Sequence, residues 1–408
     1  MKRTLITNIG MLATPQGPAA RGGRAQGEIC ILKNAWIFIE NDVIAQVGTG
    51  AAPAAAGAQT INAGGKLVTP GLVDAHTHLI FGGWRQNELA LKLHGAGYLD
   101  ILAAGGGILS TMRATQSASE EQLEAKASAA LDEMLRFGTT TAEAKSGYGL
   151  STGEECKALR VIGNLQKRHV MDLAATFMGA HAVPEAYRDN RQGYLELLCE
   201  EMLPAVREQG IAEFCDVFCE KGVFSAEESR RILLTGRQYG LRPKIHADEI
   251  EAIGGSELAG EIGAVSAEHL IVCPPSGIAS MAEGGTVACC LPATSFYLGA
   301  AYAPVQDMVQ AGVPVAMATD FNPGSCPCLN MQLVISLGCL RYRLTPEQAL
   351  TAVTLNGAAA ICRADRIGSI EPGKQADILI WNAEDLDYIC YRLGSNLVDT
   401  VIKKGNVV

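Results

Sequence analysis

From about residue 67 onward, short apolar runs alternate with stretches of helical character. The runs begin near Leu72, Thr139, Leu173, Glu213, Pro243, Val265, Thr286 and Pro314. Apolar runs of strand length predict buried strands, and the longer stretches between them predict helices. Residues 119–137 are one such helix: Ala, Glu, Leu and Lys dominate, Ser119 and Gln122 form a capping box, and Gly138 stops it. Thr345-Pro346-Glu347-Gln348 opens another, with proline at the first helical position. Eight strands alternating with helices predict an α/β fold, a (β/α)8 TIM-like barrel. A doubly wound sheet is the alternative, but no glycine fingerprint follows a first strand, and Gly105-Gly106-Gly107 reads as a flexible loop between helical patterns.

The two ends of the chain carry a different pattern. Ile29-Cys30-Ile31-Leu32 and Trp36-Ile37-Phe38-Ile39 are β-rich, Asn41-Asp42 is turn chemistry, and Ala51 to Gly57 reads as a loose loop. After residue 365 the β character returns at Ile367–Ile370, Ala376–Trp381 and Val398–Val408. The expectation is a small β-sandwich domain built from residues 1–66 and 366–408, flanking a barrel domain of residues 67–365.

Composition narrows the classes of function. The chain has 408 residues, 48% hydrophobic and 19% charged, which is enough apolar material for a large globular core. A net charge of −10 makes it a poor general binder of nucleic acid or of an anionic membrane, so a small-molecule substrate is the expected partner. No apolar run of signal length follows the first residues and none reaches membrane-span length, so a cytoplasmic protein is expected. Its 13 cysteines include no C-x-x-C pair and read as reduced core thiols. Cys289-Cys290 reads as buried strand, and Cys326-Pro327-Cys328 as small side chains in a tight loop rather than as metal ligands.

The candidate chemistry sits at strand ends. Leu72-Val73-Asp74-Ala75-His76-Thr77-His78 is an apolar run closing in His-x-His, and residues two apart on a strand share a face. His246 follows the fifth run, His269 ends the sixth, and His181 lies just past the third. His94 and His169 lie in helical contexts. The eighth run ends in Asp320, a carboxylate that would be costly there unless paired or bound to metal. Three imidazoles and one carboxylate (His76, His78, His246, Asp320) suit zinc or iron(II), and a bound cation activates water. Glu249, three residues after His246, is the natural proton shuttle, with Asp248 and Glu251 as competitors.

Asp74-Ala75-His76-Thr77-His78, the strand-end His246 and His269, Asp320 and the segment Glu371-Pro372-Gly373-Lys374-Gln375-Ala376-Asp377 resemble the amidohydrolase superfamily. The absence of an obvious metal-bridging lysine points to a member with one zinc or iron ion per chain. Five further segments are similar to the branch that opens a cyclic amide-like ring in histidine degradation: Phe81–Arg85, Ala104–Ile108, Glu143–Leu150, His246–Glu249 and Ala318–Ser325. That resemblance implies hydrolysis of 4-imidazolone-5-propanoate to N-formimidoyl-L-glutamate, in a homodimer. It implies that Glu249, His269 and Asp320 act in catalysis. It also implies that Arg85, Tyr98, Tyr148, His181, Glu249, Asn322, Gly324 and Ser325 line the substrate pocket, with Arg85 as the forked donor for the propionate. Trp84 and Cys326-Pro327-Cys328 depart from the pattern and bear on pocket shape. A deaminase of a nitrogen heterocycle is the alternative, and a non-catalytic scaffold on the same fold ranks below it.

Overall fold

The computed structural model describes residues 2–94 and 106–408. Two eight-stranded sheets organise it. The first unites the chain ends: β1 (Arg3–Thr14), β2 (Cys30–Glu40), β3 (Val43–Thr49), β4 (Gln59–Asn62) and β5 (Leu67–Pro70) from the N-terminal side, with β14 (Ile378–Trp381), β15 (Val398–Lys403) and β16 (Asn406–Val407) from the C-terminal side. The two halves meet where β14 runs antiparallel to β5, pairing Ile378 with Pro70 and Ile380 with Val68. The terminal sheet thus takes in Leu67–Pro70, directly ahead of the first barrel strand. Ile367–Ile370, expected as strand, forms none: Ile370 is buried, but its N–H donates to the Thr14 hydroxyl instead of a strand ladder.

The second sheet is the barrel: β6 (Leu72–Asp74), β7 (Thr139–Lys145), β8 (Asp172–Ala180), β9 (Phe214–Cys219), β10 (Arg242–Ala247), β11 (Ser266–His269), β12 (Val287–Cys290) and β13 (Val315–Met317), parallel and in chain order. Every start lies within one residue of the sequence expectation. Buried segments at regular spacing leave little ambiguity, because a parallel sheet covered on both faces keeps its strands out of water on both. Closure between β13 and β6 is made by side chains and by the loops beyond the strands. The Thr319 N–H and hydroxyl both donate to the buried Asp74 carboxylate, at 3.0 and 2.5 Å. The Asp320 N–H reaches the His76 carbonyl at 3.0 Å, and the His78 N–H reaches that of Phe321 at 2.9 Å. These bonds set His-x-His beside Asp320 before any ligand binds.

Both predicted capping boxes are present, at Ser119/Gln122 before the helix Glu120–Arg136 and at Thr345/Gln348 before Pro346–Val353. Gly106 is the N-cap of a helix, Gly107–Ser117, and not part of a loop between helices as the sequence pattern implied; Gly105 lies outside the described residues. All thirteen cysteines are free, eight of them buried. Among the described residues, no helix is long and apolar enough to cross a membrane.

Candidate metal centre

Five of the seven histidines converge at the carboxyl ends of the barrel strands. The ring centroids of His76 and His246 lie 4.6 Å apart, those of His76 and His78 5.3 Å, and those of His76 and His269 5.6 Å. His181 stacks on His78 at 4.8 Å. His94 and His169 stand elsewhere, at helix ends. Asp320 (φ 56°), His269 (φ 69°) and Asp248 (φ 52°) hold left-handed backbone conformations, so three of the strand-to-loop corners carry local strain at this site.

Hydrogen bonding decides what the imidazoles offer. His76 Nδ1 lies 2.9 Å from Glu268 Oε2, and His246 Nδ1 lies 3.0 Å from Asp216 Oδ1. An ionised carboxylate only accepts, so each Nδ1 carries the proton and each Nε2 presents a lone pair to the centre. His76 Nε2 and Asp320 Oδ1 are buried without a hydrogen-bond partner and face each other at 3.5 Å. His78 Nε2 is 3.6 Å from that same oxygen and 3.3 Å from His246 Nε2. The other Asp320 oxygen is occupied, accepting from the Thr294 hydroxyl at 2.7 Å.

His76 Nε2, His246 Nε2 and Asp320 Oδ1 are acceptors turned on one centre together with His78 Nε2, and buried acceptors so placed are costly without a cation between them. A tetrahedral ion with bonds of about 2.1 Å separates its ligand atoms by about 3.4 Å, close to the spacings of His76 to Asp320, His78 to Asp320 and His78 to His246. The residues therefore fit a metal ion. Burial, reinforced by the Lys145 ammonium, holds the His76 imidazole well below its ordinary pKa, and burial with His181 does the same for His78; both are neutral, as ligands must be. His269 lies close enough to be grouped with His76 and His246 as a further donor.

Glu249 follows β10, and its Oε2 is 3.6 Å from His269 Nε2. Burial pushes its carboxyl up to about 7, against the pull of His246, a value suited to moving protons near neutrality. Burial lowers His269 to about 4, so it faces the site as a neutral imidazole able to donate an N–H. Of the competitors, Asp248 is buried with both carboxylate oxygens unpartnered, and Glu251 is paired with Lys221 at 2.8 Å.

On the substrate side, Arg85 is largely enclosed. Its Nε and Nη2 are held by Glu88 at 3.0 and 2.9 Å, and Glu88 also accepts from the Gly107 N–H at 2.7 Å. The remaining edge of the guanidinium faces Gly324: a Cβ there would fall 2.1 Å from Nη1. Tyr148 is buried, its ring 5.0 Å from that of His181, whose Nδ1 meets the Gly147 carbonyl at 2.9 Å. Burial raises the Tyr148 phenol, so it stays a neutral donor. Asn322 is engaged with its own loop: its Oδ1 accepts from the N–H groups of Gly324 and Ser325 at 2.8 and 2.7 Å. Tyr98 lies outside the described residues. Trp84 is half exposed and meets Phe81 in a T-shaped contact, while Cys326 is buried.

A closed barrel of eight parallel strands with a histidine–aspartate centre at its carboxyl end is the architecture of a metal-dependent hydrolase. Residues 67–408 match the amidohydrolase family, and the chain belongs to it. Over its full length the chain is 50% identical to a protein named imidazolonepropionase from Alkaliphilus metalliredigens, covering 98% of that relative. It is 49% identical to one of the same name from Bacillus cereus, covering 97% of it. Among solved structures, an adenosine deaminase from Xanthomonas campestris with bound zinc superposes with a TM-score of 0.71 at 21% identity, over 99% of this chain and 92% of the other. An atrazine chlorohydrolase from Arthrobacter aurescens with zinc gives 0.72 at 18%, over 99% and 94%. At such identities these two speak for the fold alone.

Sequence reasoning missed the carboxylates behind the ligands, Asp216 and Glu268, and Glu88 behind Arg85. A signal existed for the first two. Each is a carboxylate inside a barrel strand, Asp216 in Phe214-Cys215-Asp216-Val217 and Glu268 in Ser266-Ala267-Glu268, and a charged residue there must face the barrel interior.

Proposed function

We propose that this chain hydrolyses 4-imidazolone-5-propanoate to N-formimidoyl-L-glutamate, using one zinc or iron ion per chain held by His76, His78, His246 and Asp320. One observation carries the hydrolytic reading: the buried, partnerless His76 Nε2 and Asp320 Oδ1 facing each other at 3.5 Å, with two further Nε2 atoms beside them. The substrate is drawn from the full-length relatives and their shared name. A cation bound there supplies Lewis acidity, polarising the ring carbonyl and lowering the pKa of water.

The chain's own groups do the rest. Glu249 accepts the proton of the attacking water and returns it to the ring nitrogen as the carbon–nitrogen bond breaks. His269, neutral and 3.6 Å from Glu249, donates to the oxygen that gains negative charge. Arg85 takes the propionate on the guanidinium edge that Glu88 leaves open, with Tyr148 and His181 as further polar contacts and the Asn322–Ser325 loop as the opposite wall. On the sequence resemblance alone, Tyr98 is proposed as a further substrate-binding residue. We further propose a cytoplasmic homodimer, and domain limits of 1–66 with 366–408 and of 67–365.

The test is turnover of freshly prepared 4-imidazolone-5-propanoate with identification of the product. Formimidoylglutamate without released ammonia is the expected result. Ammonia in step with turnover would favour a deaminase instead.

A further inference from the structure

Beneath the metal centre lies a group of five charged side chains, every one fully buried: Glu143 and Lys145 on β7, Asp216 on β9, Lys244 on β10 and Glu268 on β11. They form one chain of contacts. Asp216 gives Oδ1 to His246 and Oδ2 to Lys145, at 3.0 and 2.7 Å. Lys145 reaches Glu143 at 2.7 Å, and Glu143 reaches Lys244 at 3.1 Å. Lys244 reaches Glu268 Oε1 at 3.3 Å, and Glu268 gives its other oxygen to His76 at 2.9 Å. The sequence of contacts is therefore His246, Asp216, Lys145, Glu143, Lys244, Glu268, His76, symmetrical about Glu143.

Buried charges are retained only when each is paired, and here each pairing has a consequence for a ligand. Burial alone would raise the Asp216 carboxyl; His246 and Lys145 outweigh it and hold the group well below its ordinary range. Burial alone would lower Lys244; Glu143 and Glu268 outweigh it, so it stays charged. Three carboxylates against two ammonium groups leave one net negative charge under the site. Each carboxylate next to an imidazole can aim only one oxygen at it, because Lys145 holds the other oxygen of Asp216 and Lys244 with the Ser266 hydroxyl holds that of Glu268. The direction of each Nε2 lone pair is thereby fixed from below.

We propose that Glu143 is a positioning residue for the metal centre: through Lys145 and Lys244 it holds Asp216 and Glu268 in place, and so couples the orientation of His246 to that of His76. It reaches neither imidazole itself. This rests on the reading of His76 and His246 as ligands. The belt explains why two lysines sit inside the barrel without serving as metal ligands: Lys145 is taken up by Glu143 and Asp216, and Lys244 by Glu143, Glu268 and the carbonyls of Ala75 and Ala360.

The test is Glu143→Gln, with zinc as the probe. Zinc affinity of the metal-stripped protein is measured by competition with a chelating dye, and the imidazole Nδ1–H resonances of His76 and His246 are followed by NMR. The expected result is a zinc Kd raised about 10- to 100-fold, the range typical of lost partners behind a metal ligand, with both resonances displaced together. A zinc Kd within twofold of native, or displacement of only one resonance, overturns the proposal. So does a lowered melting temperature of the metal-free protein with zinc affinity unchanged, which is what a purely structural role gives. Should Glu143→Gln not fold, Glu143→Gln with Lys145→Met keeps the belt's net charge and is expected to weaken zinc in the same range. In the native protein both Nδ1–H protons must be seen bonded to carboxylates, and their absence refutes the belt without any variant. If the native protein takes up no zinc at all, the metal-centre reading fails with it; native binding beside equal binding by the variant overturns this proposal alone.

Discussion

Gly324→Ala tests how the substrate carboxylate is held. A methyl group at this position falls 2.1 Å from Arg85 Nη1 and 2.6 Å from Cζ. Carbon and nitrogen need about 3.5 Å, so roughly 1.4 Å of displacement is required. Neither side yields easily. Arg85 is held on two nitrogens by Glu88, and the Gly324 and Ser325 N–H groups are held by Asn322. The guanidinium edge left for the propionate is thus pushed out of line. Losing one charge-assisted hydrogen bond costs about 1.5–3 kcal/mol, or roughly a 10- to 150-fold rise in KM. Steady-state kinetics on 4-imidazolone-5-propanoate and on an imidazolone lacking the propionate give the assay. The variant is expected to lose selectively on the propionate-bearing compound, while the truncated one, poor for the native protein, is left nearly unchanged. An unchanged KM, or an equal loss on both compounds, refutes the assignment of Arg85 and returns it to a role in the loop.

Glu249→Gln keeps shape and removes the proton acceptor; metal content is expected to hold while kcat falls about 10²- to 10⁴-fold, and undiminished turnover would pass the role to Asp248. Because Glu249 works as a carboxylate and burial sets its pKa at about 7, kcat/KM falls as pH drops below that value, and a bound cation moves the limb to lower pH. A profile flat from pH 8 to 4 would contradict this. Asp320→Ala removes a ligand atom and is expected to abolish both zinc uptake and activity, read by elemental analysis beside the rate assay. Zinc added to the stripped protein at about 100 times its Kd stabilises the fold by about 2.7 kcal/mol, visible as a raised melting temperature that Asp320→Ala should lack.

The barrel strands were legible because they recur as short, mostly apolar or β-branched segments between helical stretches, a spacing that survives the charged residues some of them carry. His76, His78, His246, His269 and Asp320 were legible as chemistry because they end such runs. Ile367–Ile370 misled because apolar burial was taken for strand, whereas the segment is held by a side-chain bond to Thr14. The partner of Arg85 was not legible either: Glu88 three residues on holds it, an (i, i+3) pair visible only once that local turn is known. Asp216 and Glu268 escaped notice for a different reason. Pairing of β9 with β10 brings Asp216 beside His246, and curling of the sheet into a barrel brings Glu268 across from β11 to His76; no local pattern encodes either.

The central claim is that one metal ion in this centre drives hydrolytic ring opening. Its most direct test is a titration of the metal-stripped protein with zinc or iron(II) while turnover of 4-imidazolone-5-propanoate is followed. The account predicts no turnover at the start, a linear rise, and a plateau at one ion per chain with formimidoylglutamate as product. Full turnover before any metal is added would contradict it.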